Sequence, residues 1–311
     1  MPLALATALT LTLTLTLTAC SSGTAKDEGR DAPAGDGSIE VATSTDVYGA
    51  VVKAVGGDRV RVTSFIDNTG ADPGAYESTP ADAVAVANAQ LVVGNGGGYD
   101  DFVFQLVETA GRERTVLNVS EFSELETQLA KGEKFNEHIW FNLAAMQRLA
   151  DRVATDLGRI NSGDAATFTA NAATFTAQVT ELRNQVQAIA TGSRGARVAA
   201  TEPLPLYLLA DAGLENVTPE EFMEASEGGT DAPAAIVQQT LDLVTGPDPV
   251  RALVLNTQTQ TPATDRLRRA AEAAGIPEVS VNETLSEGSK DYVEWIGAQI
   301  DALSRALQQT A

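Results

Sequence analysis

The chain has 311 residues, 43% of them hydrophobic, which is enough apolar material for packed cores in about two domains and too much for a disordered chain. Its 21 Lys and Arg against 42 Asp and Glu leave a formal net charge of −21, which argues against a nucleic-acid partner, whose phosphates need basic groups to neutralise them. The single cysteine excludes a disulfide framework and a cysteine-based zinc site.

Residues 3–19 form an uncharged apolar run of alternating Leu and Thr, short for a bilayer span and followed by small residues. Residues 1–19 are therefore expected to be a signal peptide, although no Lys or Arg precedes the run. Leu17-Thr18-Ala19-Cys20 fits a lipobox, in which Cys20 is acylated and becomes the first residue of the mature chain. Residues 20–38, rich in Gly, Ala, Asp and Ser, are expected to be a flexible tether to the lipid.

A strand over 39–43 leads to a helix over 46–55, capped by Ser44 or Thr45. A strand over 60–66, a polar loop over 67–79, and a helix over 80–89 with Pro80 at its start follow. A short strand at 91–93, the glycine-rich stretch 94–98, a helix over 100–110 and a strand over 116–119 complete a first alternating half. Helical residues then dominate from 141 to 189, interrupted near 161–163, and Phe168, Phe175, Val179, Leu182, Val186 and Ile189 form one apolar stripe on the second part. The alternation restarts with a strand over 197–201 and a helix over 203–212. A short helix at 219–224, a helix over 232–245, a strand at 252–256, a helix over 261–274, a strand at 278–281 and a helix over 291–308 follow. The expected fold is α/β: two lobes, 39–160 and 193–311, each with a mostly parallel sheet flanked by helices, joined by a long rigid helix over 161–192. A stiff connecting helix allows only modest lobe closure.

Open parallel sheets bind ligands beyond the carboxyl ends of their strands. Four stretches fit such positions: the loop 70–77, His138 ahead of the long helices, Glu202 after the strand at 197–201, and Glu283 after the strand at 278–281. His138 is the only histidine of the chain. An imidazole with carboxylates suits Zn2+ or Mn2+. On residue type alone, a hydrogen-bonded structural histidine and two capping or solvated glutamates are the commoner case, and Glu202 before Pro203 suits a helix amino terminus. As a metal ligand His138 must be neutral, so an ordinary imidazole would lose the ion below about pH 6–7.

Seven segments change this balance: Val-Gly-Gly-Asp-Arg-Val at 55–60, Gly-Ala-Asp-Pro-Gly-Ala-Tyr-Glu-Ser-Thr-Pro-Ala-Asp at 70–82, Ala-Gln-Leu-Val-Val-Gly-Asn-Gly-Gly-Gly-Tyr-Asp-Asp-Phe at 89–102, Asn-Glu-His-Ile-Trp at 136–140, Ala-Thr-Glu-Pro-Leu-Pro-Leu-Tyr-Leu-Leu at 200–209, Asn-Thr-Gln-Thr-Gln-Thr-Pro at 256–262 and Glu-Thr-Leu-Ser-Glu-Gly at 283–288. In this order the chain resembles the zinc/manganese solute-binding lipoproteins of ABC importers, the zinc-uptake or TroA-like proteins, in an actinobacterial-type branch. The resemblance implies a metal held between two lobes, with His138, Glu202 and Glu283 as ligands. The family's first histidine ligand falls on Gly74, leaving Asp72 and Glu77 as candidate substitutes. It further implies a monomer on the outer face of the cell membrane, anchored through Cys20, that delivers Zn2+ or Mn2+ to an importer permease without chemical turnover.

Three rival readings share these residues. The glycines at 94–98 lack the Lys-Ser/Thr of a phosphate-binding loop. Glu202 and Glu283 as a glycosidase acid–base pair lack an aromatic sugar cleft, aromatics being 5% of the chain. A degenerate family member, kept as a non-metal-binding adaptor lipoprotein, is supported by the glycine at position 74.

Overall fold

The computed structural model describes residues 37–67, 76–129, 134–289 and 291–309. Cys20, most of the expected tether, Asp72 and Gly74 lie outside the described residues.

In chain order the elements are β1 (Ile39–Thr45), α1 (Asp46–Gly56), β2 (Val60–Ile66), α2 (Pro80–Asn88), β3 (Leu91–Gly94), α3 (Asp101–Thr109), β4 (Thr115–Asn118) and α4 (Val119–Phe122). Then come α5 (Leu143–Ile160), α6 (Ala165–Ser193), β5 (Arg197–Ala200), α7 (Leu206–Asp211), β6 (Glu215–Asn216) and α8 (Glu220–Glu227). The chain closes with α9 (Ala234–Thr245), β7 (Leu253–Asn256), α10 (Pro262–Ala273), β8 (Glu278–Val281) and α11 (Tyr292–Gln309). Two four-stranded parallel sheets result, ordered β2-β1-β3-β4 and β6-β5-β7-β8. The inner strands are buried on both faces, as Leu91-Val92-Val93 and Leu253-Val254-Leu255 show. Each sheet reverses direction of winding between its two central strands, β1 with β3 and β5 with β7, and that is where such sheets open a crevice.

Several boundaries differ from expectation for local reasons. Strand β1 runs two residues further because Thr43, Ser44 and Thr45 are fully buried. Thr45 is the N-cap of α1, accepting the Tyr48 N–H. The helix expected over 203–212 shrinks to α7, since Pro203 and Pro205 supply no N–H. Strand β6 has two residues, too few for a sequence period.

Helix α6, 29 residues and about 43 Å long, runs alongside α5, α1 and α11. The expected stripe is buried, together with Ala172. Its apolar residues belong to one continuous core that takes in Val41 and Leu91 of the first sheet and Val198 and Val254 of the second. The connection is thus a packed spine rather than a free-standing rod.

Candidate metal centre

Strand ends deliver the carboxylates. Glu202 follows β5 and Glu283 follows β8, and both are buried, 2% and 5% exposed. Asn256 closes β7 between them. Its Nδ2 donates to Glu202 Oε2 at 2.6 Å and to Glu283 Oε1 at 3.0 Å. The amide orientation is fixed because Asn256 Oδ1 accepts the Gln258 N–H at 3.0 Å. The backbone N–H of Glu283 donates to Gln258 Oε1 at 2.5 Å, so the same short loop after β7 holds both the acid and the amide that spaces it.

The first sheet sends Tyr99 across. Asp100 accepts the N–H groups of Asn95 and Gly96 at 2.6 and 2.8 Å and folds the glycine-rich stretch back on itself. Gly96, Gly97 and Gly98 all have positive φ, and a Cβ on Gly97 would lie 2.4 Å from the Phe135 ring, so close approach as well as backbone conformation requires glycine there. The turn aims the Tyr99 hydroxyl at Glu283 Oε2, which accepts it at 3.0 Å. Burial and the neighbouring Glu283 charge push the Tyr99 pKa well up, so the phenol stays a donor.

His138 sits at the start of a single 3-10 turn, Ile139–Phe141, and is 3% exposed. Asn136 sets its tautomer. Asn136 Nδ2 donates to the Pro203 carbonyl at 2.9 Å, so its Oδ1 is the atom that faces His138. That oxygen accepts the His138 backbone N–H at 3.1 Å and ring Nδ1–H at 2.8 Å. The proton therefore resides on Nδ1 and Nε2 keeps its lone pair. Burial pushes the imidazole pKa down to about 3, because the charged form loses its hydration. This corrects the expectation that the imidazole would protonate near pH 6–7: in this conformation it remains neutral far into acid. Nε2 lies 3.5 Å from Glu227 Oε1, and with the ring neutral this is a lone pair facing a carboxylate, not an ion pair.

The structure therefore pairs Glu202 with Glu283 through Asn256, and His138 with Glu227. Tyr99 joins the pairs, its ring 6.3 Å from that of His138 and its hydroxyl on Glu283. The segment before His138 is also tied to the residues after Glu202, through Asn136 to Pro203 and through the Tyr207 hydroxyl, which donates to the Asn136 carbonyl at 2.7 Å. Among the described residues no group of three or more His, Cys, Asp or Glu side chains is spaced to hold a metal ion. Glu77, a candidate substitute ligand, is exposed ahead of α2. Sequence reasoning missed Tyr99, Asn136, Glu227 and Asn256. Only Glu227 left a periodic trace, as the last of three glutamates on one face of α8.

A sequence model described as "ZnuA: Zinc-uptake complex component A periplasmic" matches residues 41–306. The manganese-binding lipoprotein MntA of Halalkalibacterium halodurans is 25% identical over 148 residues, and the match spans about half of that relative, 48% of its length. The periplasmic zinc binding protein TroA from Treponema pallidum has the same fold, with a TM-score of 0.72 at 18% identity over 87% of this chain and 99% of that one. FpvC of Pseudomonas aeruginosa, solved with Ni2+, gives 0.71 at 22% identity over 88% and 98%. These structural likenesses establish the two-lobed fold. The family match spans both sheets and the helices between them, and the chain belongs to the ZnuA family of periplasmic zinc-uptake components.

Proposed function

We propose that the chain is an extracytoplasmic carrier that binds a divalent metal ion, Zn2+ or Mn2+, with His138, Glu202 and Glu283 among its ligands, and passes it to the permease of an ABC importer. The observation that carries this reading is the state of the only histidine. It is neutral, fixed in one tautomer and turned with its Nε2 lone pair toward a carboxylate. A structural histidine would use its second nitrogen in a hydrogen bond. A metal ligand keeps that nitrogen for the ion while its other N–H is held by a neighbouring acceptor, here Asn136. Glu202 and Glu283 are buried acids that share the Asn256 amide, and a doubly charged cation is the kind of ion such a pair would hold. Asp72 and Glu77 remain candidate further donors. Cys20 is proposed as the lipid anchor, and no helix of the described residues is long and apolar enough to cross a membrane.

Mass spectrometry of the purified protein and titration of the metal-stripped form test the reading. One equivalent of Zn2+ or Mn2+ is expected, with His138→Ala weakening binding at least tenfold. The adaptor reading is favoured by the absence of a three-donor group among the described residues. Protein that neither carries nor takes up either ion would establish that reading instead.

A further inference from the structure

Strand β8 and helix α11 border a cavity of about 410 Å3 that is lined by none of the candidate metal ligands. The period of β8 turns Val279 and Val281 into the core and Ser280 to the outside. Trp295 and Gln299, four residues apart, share one face of α11, and both line the cavity with Ser280. Exposed Thr257 beyond β7, with exposed Ser286 and Glu287 beyond β8, adds to its wall.

Asn282, at the end of β8, has its side-chain hydrogen bonds assigned. Its Nδ2 donates to the Thr284 carbonyl at 2.5 Å, and its Oδ1 accepts the Trp295 indole N–H and the Ser286 hydroxyl, each at 3.3 Å. Gln299 is different. Its Oε1 accepts the Asn282 backbone N–H at 3.4 Å, which fixes the orientation of the amide. That leaves Nε2 without a hydrogen-bond partner on a residue only 5% exposed. Buried donors are nearly always paired in folded proteins, so an unpaired one in the wall of a cavity calls for an acceptor on whatever the cavity holds.

We infer that this cavity binds a small neutral molecule rich in hydroxyl groups, a polyol or a monosaccharide, with Gln299 Nε2 donating to one of its oxygens. The volume lies within the range of small-molecule sites. Among the described residues no Lys or Arg lines it, so an anion finds no countercharge, and Glu287 is its single carboxylate. The Thr257, Ser280 and Ser286 hydroxyls donate to oxygens of the chain at 3.4, 3.4 and 3.3 Å. What they keep are lone pairs that accept. The occupant must therefore accept from Gln299 and donate to these hydroxyls, and groups that do both are hydroxyls themselves. Trp295 and Ala298 supply an apolar wall for its C–H groups. Such a molecule would bind whether or not the chain carries a metal.

The test is calorimetric titration of the purified protein with D-glucose, myo-inositol and glycerol, and with inorganic phosphate and choline as charged probes. Saturable binding of one equivalent is expected for at least one neutral probe and for neither charged one. Gln299→Met, which keeps the length of the side chain and removes the donor, is expected to raise Kd at least tenfold. Gln239→Met, the same change at an exposed position of α9, is expected to leave it within twofold. Ser280→Tyr, at an exposed position of an edge strand, fills the cavity and is expected to abolish binding, which keeps the test decisive if Gln299→Met folds poorly. No saturable binding of the neutral probes by wild type would overturn the site. Unchanged affinity in both Gln299→Met and Ser280→Tyr would place the ligand elsewhere and overturn it equally, and tighter binding of phosphate or choline would overturn the ligand class.

Discussion

His138 and Asp46 give the metal-free protein two opposing responses to pH. Burial lowers the His138 pKa to about 3, below its unfolded value of about 6.5. The unfolded chain therefore binds more protons between those values, and this residue's contribution to stability is full above about pH 6.5 and lost as pH falls toward 3. Asp46 is shifted the other way, up to about 6, chiefly by burial and against the Leu285 N–H that stabilises its charge. Its contribution is full below about pH 4 and lost as pH rises through about 6. Over pH 4–6 the two slopes offset one another, each at most about 1.4 kcal/mol per pH unit. Substitution should expose each. In thermal melts of stripped protein, His138→Gln should become less stable from pH 4 to 6 relative to wild type. Asp46→Asn, which keeps an acceptor for Leu285, should become more stable over the same range. Parallel pH profiles for all three proteins would show that neither group titrates as its surroundings require.

At the scale of elements, α6 is the member whose sequence pattern says most. Its buried residues recur at alternating steps of four and three, so one face meets α5, α1 and α11 along its whole length. Phe175 is 2% exposed and its ring lies 5.8 Å from that of Tyr292 on α11. Phe175→Ala should cost about 3–5 kcal/mol in chemical denaturation through the cavity it leaves, and a loss under 1 kcal/mol would mean that α6 is not the packed spine described. Such elements were legible from sequence because burial imposes a local period on the residues that share a face. The strand–helix alternation and the placing of Glu202 and Glu283 at strand ends followed from the same logic. What was not legible depends on contacts between distant segments. Strand β6 exists because Glu215 and Asn216 pair with Arg197 and Val198, and no two-residue pattern announces that. Glu227 meets His138 only because α8 lies against a segment remote in the chain. Asn256 reads as the end of a strand until the two acids are seen to share its amide.

For the whole molecule, the two sheets are joined at three levels. A continuous apolar core runs from Val41 to Val254 through α6. The Asp46 carboxylate at the start of α1 accepts the Leu285 N–H beyond β8, at 3.1 and 3.2 Å. Tyr99 from the first half donates to Glu283 in the second. Rotating one half against the other would break all three, so metal loading should alter the overall dimensions little. Solution scattering of stripped and loaded protein should give radii of gyration that agree to about 0.5 Å, well short of the hinge closures of other binding proteins, and a clear contraction on loading would contradict this.

The Tyr99 hydroxyl has one more consequence. Because it clasps Glu283 from the other half of the chain, an ion taken up at that carboxylate would change the outline of the molecule little. A receiving transporter that judged its visitors by outline would be engaged as often by empties as by deliveries. Telling them apart would then fall to charge, since an arriving cation offsets part of a formal net charge of −21.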